Sequence, residues 1–185
     1  GEAWDVVARV LGISPPSFER LIVGLLDVIH MHAYCLFVES FRQECTMGEL
    51  VKADYRFNNK PHALYACDVC FQETNRPTGN IDEAKMYYSG KHKLYGVKTE
   101  VSVLPNGLAI SCSNAHNGST SDKAMMMKNL DLHDALTRKK FDERNIQDKG
   151  EYVSMYPDHW AILVDKVAWS VFESYIPSGN RHILS

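Results

Sequence analysis

The sequence predicts an α/β fold, a mixed β-sheet flanked by helices with a small helical segment in front. Three observations carry this. Two short apolar runs, Ala63–Cys67 and Trp160–Val164, each end directly in an aspartate, Asp68 and Asp165. Central strands opening into a site read this way. Between them lies a hairpin rich in β-branched residues, Leu94–Val103 and Leu108–Ser113, joined through Pro105-Asn106-Gly107. Ahead of both, apolar residues recur at helical spacing from Asp5 to Ile29.

The first helix is expected over 5–11, with Val6, Val7, Val10 and Leu11 as its apolar residues. Gly12-Ile13-Ser14 breaks it, and Ser14-Pro15-Pro16 reads as a cap with proline in the first turn. A second helix follows from about Pro16, burying Phe18 and Leu21. Two helices around a glycine turn form a helix-turn-helix-like pattern, assigned to residues 1–45. Its charge does not suit DNA: residues 1–50 carry Arg9, Arg20 and Arg42 against Glu2, Asp5, Glu19, Asp27, Glu39, Glu44 and Glu49. The most apolar stretch, Leu21–Val38, contains Asp27, His30 and His32, so it reads as a poor membrane span and a good buried helix.

Residues 46–62 read as a linker with a short helix near Met47–Asp54, and 63–185 as the sheet-bearing core. Gly118-Ser119-Thr120-Ser121-Asp122 leads into a helix expected over 121–132, with Met125, Met126 and Met127 as packing residues. The charged stretch 137–150 reads as solvated. A short helix over 167–175 and a turn at Pro177–Asn180 close the chain.

The chain has 185 residues, 45% hydrophobic and 23% charged, with a formal net charge of −3. General disorder is excluded by that balance. The total charge does not advertise a nucleic-acid binder, so local distribution matters. Residues 85–99 hold Lys85, Lys91, Lys93 and Lys98 and no acid, the best basic patch in the chain. Five irregularly spaced cysteines, Cys35, Cys45, Cys67, Cys70 and Cys112, argue against a disulfide framework and for a reducing compartment. Cys67 and Cys70 have no second CxxC and read as small buried side chains. No signal peptide is read at the acidic start, so the nucleus or cytoplasm is expected.

If the strands ending in Asp68 and Asp165 are parallel neighbours, both carboxylates emerge at one sheet edge. Hard oxygen ligands on short side chains suit Mg²⁺ or Mn²⁺ and phosphodiester chemistry.

The motifs occur in an order that resembles one family. Ala66-Cys67-Asp68 through Arg76-Pro77 resembles the first catalytic strand of DDE superfamily endonucleases, in the branch shared by Harbinger-like and IS5-like transposases. Tyr88-Ser89-Gly90-Lys91-His92-Lys93 resembles that branch's glycine-lysine hairpin, Pro105-Asn106-Gly107-Leu108 its turn, and Ile162-Leu163-Val164-Asp165 its second catalytic strand. The resemblance implies an RNase-H-like core, with Asp68 and Asp165 as catalytic acids and ligands of Mg²⁺ or Mn²⁺. Asp122 is implied as a supporting catalytic residue, and Lys91, His92, Lys93 and Lys98 as nucleic-acid contacts. DNA is the implied partner, with a protein partner or homo-oligomer as a further expectation and no membrane. The family's third acid lies in an Arg-x-x-Val-Glu context, which is absent, and Glu173 comes too soon after Asp165 to match it. The expectation is therefore a transposase-derived chain, truncated before the third acid and incomplete or inactive in DNA cleavage or strand transfer. The alternative is a domesticated scaffold for DNA or protein binding.

Overall fold

The computed structural model describes residues 2–151, 153–165 and 183–184. The helix expected over 167–175, the turn at Pro177–Asn180 and Glu173 lie outside them. The chain divides into two compact units, Gly1–Gln43 and Glu44–Ser185.

The first unit is helical. Helix α1 (Glu2–Val10) ends at Gly12, whose φ of +67° is open to glycine without strain. The Ile13 N–H donates to the Ala8 carbonyl and the Gly12 N–H to that of Arg9, a paired closure that satisfies the last carbonyls of the helix. Helix α2 (Pro15–Tyr34) then starts behind Ser14, continues as a π-helical turn over Cys35–Glu39, and passes into α3 (Ser40–Glu44). Ala8 and Phe18 are buried between α1 and α2, and the Trp4 and Phe18 rings lie 5.8 Å apart.

The expected buried helix is corrected here. Leu21 is 61% exposed, and Val23, Leu25, Leu26, Val28, Ile29, Met31, Leu36 and Phe37 are exposed with it. A hairpin of two helices can cover only one stripe of each, and Phe18 is the buried residue of that stripe on α2. The run Pro15–Arg42 is long and apolar enough, at mean hydropathy 1.9, to cross a membrane by length and composition, a test that core helices also pass.

The second unit is built on a seven-stranded mixed sheet in the order β2-β3-β1-β6-β7, with β4 and β5 also pairing with β3. Its strands are β1 (Ala63–Glu73), β2 (Tyr88–Ser89), β3 (Leu94–Val103), β4 (Ala109–Cys112), β5 (His116–Asn117), β6 (Ala161–Val164) and β7 (Ile183–Leu184). β1 pairs antiparallel with β3 and parallel with β6, and β6 pairs parallel with β7. This is the RNase-H-like arrangement expected, with both apolar runs that end in aspartate in one sheet as parallel neighbours.

Helix α4 (Met47–Lys52) precedes the sheet and α5 (Ile81–Tyr87) follows β1. The expected helix over 121–132 is two, α6 (Asp122–Lys128) and α7 (Leu130–Thr137), divided at Asn129. Ser121 caps α6 by accepting the Ala124 N–H at 3.2 Å. The core joins Met47 and Leu50 of α4, Leu64, Tyr65 and Cys67 of β1, Leu104, Ile110, Met126, Trp160, and Ile162 and Val164 of β6.

The charged stretch 137–150 is solvated at Arg138, Lys140, Asp142, Arg144 and Lys149, as expected, but not at Lys139, Glu143 and Asp148. Glu143 is 2% exposed. It accepts from the Gly48 and Lys140 backbone N–H groups and from Trp160 Nε1, at 3.1, 2.8 and 3.2 Å. Lys139 meets Asp148 at 2.6 Å and lies 4.5 Å from the centre of the Trp160 ring. These charges are buried because each has a partner, which the surrounding polarity hides from a composition argument.

Candidate active site

Register sets the site. The last residues paired between β1 and β6 are Cys67 and Val164, so Asp68 and Asp165 each come one residue later. Asp165 lies just past the end of β6, and Asp68 inside β1, which runs on to Glu73 against β3. Parallel neighbours run about 4.8 Å apart. The two aspartates thus share one sheet edge, and both are exposed. Asp68 Oδ1 accepts the Val69 N–H at 2.8 Å.

Strand alternation divides the candidates between the two faces of the sheet. Asp68 lies opposite Val101 on β3, whereas Cys67 lies opposite Ser102, Val69 opposite Glu100 and Phe71 opposite Lys98. Paired residues share a face and successive residues alternate. Asp68 is therefore on the face of Val101, while Lys98, Glu100 and Ser102 are on the other, with Cys67. The same alternation corrects the reading of Cys70. Three residues from Cys67, it points the opposite way and is exposed, while Cys67 is 3% exposed.

Asp122, at the start of α6, meets Lys98 rather than Asp68. Lys98 Nζ donates to Asp122 Oδ1 at 2.8 Å and to the Thr120 carbonyl at 2.9 Å, and Lys91 Nζ reaches Asp122 Oδ2 at 3.5 Å. Partial burial alone would push the Asp122 carboxyl up. The hydrogen bond and charge of Lys98, with those of Lys91, outweigh it and hold the carboxyl below its usual value. Lys98 is 5% exposed with its ammonium on these partners, so of the four basic candidates only Lys91, His92 and Lys93 face solvent. His92 stacks on Phe71 of β1, with centroids 4.4 Å apart. That contact depends on Gly96 of β3, where a Cβ would come within 2.5 Å of the Phe71 ring and 2.3 Å of the Gln72 carbonyl. Lys93 holds φ at +59°, closing the turn with its N–H on the Ser89 carbonyl at 2.7 Å.

A polar cluster lies under α7 on the Cys67 face. Tyr65 Oη and His133 Nδ1 are 2.8 Å apart, His133 Nε2 and Glu100 Oε1 are 3.1 Å apart, and Asn129 Nδ2 donates to Glu100 Oε1 at 2.8 Å. Burial, then the charge of Glu100, pushes the Cys67 thiol up to about 12, and burial pushes the Tyr65 hydroxyl well above its usual value. Sequence reasoning missed Glu100 and His133. The available signal was Lys98-x-Glu100-x-Ser102, a polar alternation interleaved with Val97, Thr99, Val101 and Val103.

A family model described as DDE superfamily endonuclease matches residues 67–166. No curated protein and no solved structure matches the chain significantly.

Proposed function

Because the chain belongs to the DDE superfamily endonucleases, matched over residues 67–166, we propose that the Asp68–Asp165 edge is the cation-holding part of a DNA phosphodiester-cleaving or strand-transferring centre. The observation that carries this is the parallel register of Cys67 with Val164, which sets the two aspartates side by side. Their donor chemistry fits Mg²⁺ or Mn²⁺, hard ions that take carboxylate oxygens. Such an ion, when bound, polarises a phosphoryl oxygen and activates the attacking hydroxyl or water.

The chain's own residues divide the rest of the work. Asp68 orients the ion from within β1, where it is paired with Val101, and Asp165 from just past the end of β6. Lys91 and Lys93, with His92 between them on the solvent side of the turn, meet the phosphate backbone. Lys98 and Asp122 act from the opposite face as a pair that fixes α6 against β3. Two carboxylates under-determine the six-fold geometry Mg²⁺ demands, so the ion is held loosely and turnover by these residues alone is slow or absent. DNA as substrate suits a nuclear or cytoplasmic location.

The test is Mn²⁺ titration followed by electron paramagnetic resonance, beside a nuclease assay in Mg²⁺ and Mn²⁺. Weak Mn²⁺ binding lost in Asp68→Asn and in Asp165→Asn is expected, with little or no cleavage. Binding indifferent to both substitutions sinks the proposal. Rapid cleavage abolished by Asp68→Asn keeps the site but shows that another residue completes it. Mn²⁺ bound at the aspartates without cleavage, alongside salt-sensitive DNA binding, supports the scaffold form of the same reading.

A further inference from the structure

Directly behind the strand position of Asp68, three metal-ligating side chains from three different elements converge in the core. Cys67 comes from β1, Glu100 from β3 and His133 from α7, and each is 3% exposed. One ligand atom from each lies within 4.8 Å of the other two. Glu100 Oε1 is occupied by Asn129 and His133, but Glu100 Oε2 and the neighbouring Ser102 Oγ have no hydrogen-bond partner among the described residues. A buried carboxylate oxygen without a donor costs free energy, and a thiol is a poor donor for it.

We infer that Cys67, Glu100 and His133 form a buried site for one Zn²⁺ ion, which ties α7 to the sheet behind the aspartate edge. A thiolate, an imidazole and a carboxylate make a mixed soft and borderline donor set. It suits Zn²⁺ and disfavours the hard ions that a pair of aspartates selects. The two positions are therefore chemically distinct although Cys67 and Asp68 adjoin. Binding closes the three ligand atoms onto the ion by small side-chain rotations and releases the Cys67 thiol proton. The ion takes the lone pair on Glu100 Oε2, beside which only the weakly donating Cys67 thiol lies.

Tyr65 is the positioning residue. Its hydroxyl fixes His133 through Nδ1, and a metal-bound imidazole commonly has such a partner on its other nitrogen. Without metal, the Tyr65 hydroxyl donates to Nδ1 and the Nε2–H donates to Glu100. With metal, Nδ1–H donates to the Tyr65 oxygen, which frees Nε2 for the ion. Loading thus reverses the His133 tautomer, a change that a merely structural hydrogen-bond cluster has no cause to make.

The inference does not rest on the aspartate edge being catalytic, and the experiment separates the two. The full chain, stripped of metal, is given ZnCl₂ or CoCl₂ and desalted. Expected are one retained equivalent of zinc, a thiolate-to-cobalt charge-transfer band, and reversal of the His133 tautomer by nitrogen NMR. Asp68→Asn, Cys70→Ser and Cys112→Ser should retain all three. Cys67→Ser should lose the band and weaken zinc binding by at least about tenfold. Tyr65→Phe keeps every ligand and should weaken zinc binding about tenfold, so it serves as the test should Cys67→Ser not fold. A folded wild-type chain that retains no zinc overturns the inference. So does a cobalt band that survives Cys67→Ser or disappears in Cys70→Ser.

Discussion

Helix α2 and strand β3 break the same rule in opposite directions. α2 turns Leu21, Leu25, Leu26 and Ile29 to the outside, whereas β3 buries Lys98, Glu100 and Ser102 and leaves Val97, Val101 and Val103 half-exposed. In each, the spacing of apolar residues gives the period of the element correctly. The phase, meaning which side faces in, is set by what packs there. α1 covers one narrow stripe of α2. Helices α6 and α7 bring Asp122, Asn129 and His133 to the polar side of β3, so its charged residues find partners under cover. Among the described residues, buried charge is found in the second unit, whereas the first exposes a continuous apolar run along α2. The exposed apolar residues of the second unit, such as Ile81, Leu108 and Phe141, are scattered.

The sharpest way to break this contrast is at Glu143, which is as buried as any charged side chain in the sheet unit. Glu143→Ala orphans two backbone N–H groups and the Trp160 indole N–H, and should cost about 3–5 kcal/mol in urea unfolding. A cost under about 1 kcal/mol would mean that water reaches these groups and that the burial is only nominal.

A middle-sized effect is expected at β3 itself. Lys98→Met leaves Asp122 without its closest cation and should destabilise the fold by about 2 kcal/mol near neutral pH. The sign with pH follows from the lowered Asp122 carboxyl. Its contribution is present above the ordinary aspartate value, about 3.9, and is lost as pH falls through the lower folded value. The gap between wild type and Lys98→Met should accordingly narrow in acid. A gap constant from neutral pH down to acid would detach Lys98 from Asp122.

The smallest effect belongs to α2. Leu25→Ser and Val28→Ser remove apolar side chains that the fold leaves uncovered, so each should change stability by no more than about 0.5 kcal/mol. A loss of about 2 kcal/mol or more, the cost of deleting a buried leucine, would show that something covers this helix in solution.

Much of the sheet was legible in the sequence because each strand carries a local mark. The aspartates close the two apolar runs, and Pro105-Asn106-Gly107 turns the hairpin, with Gly107 at φ +87°. Partnership was less legible. The break between α6 and α7 at Asn129 has no glycine or proline to announce it; Asn129 sits there with its side chain on Glu100. An apolar run suggests that Cys67 and Cys70 are both buried, but a strand alternates and turns Cys70 outward. Tyr88–Ser89, His116–Asn117 and Ile183–Leu184 pair as strands of two residues, too short for any periodicity. At the site, the shared edge of Asp68 and Asp165 followed from strand logic. The commitment of Lys98 to Asp122 did not, because a lysine in a basic stretch looks the same whether it faces solvent or a helix N-terminus.

The parallel pairing of β1 with β6 also has a consequence in time. β3 and β4 meet across a turn of a few residues, so that hairpin closes early. Cys67 and Val164 come together only when a loop of about a hundred residues has closed, and contacts of such sequence separation are the slow ones. During folding, Asp68 waits on a nearly complete strand for its neighbour to arrive. The Asp68–Asp165 pair is therefore expected to form late, after the β3–β4 hairpin; pulse-labelling hydrogen exchange that protects β6 as early as β3 and β4 would contradict this.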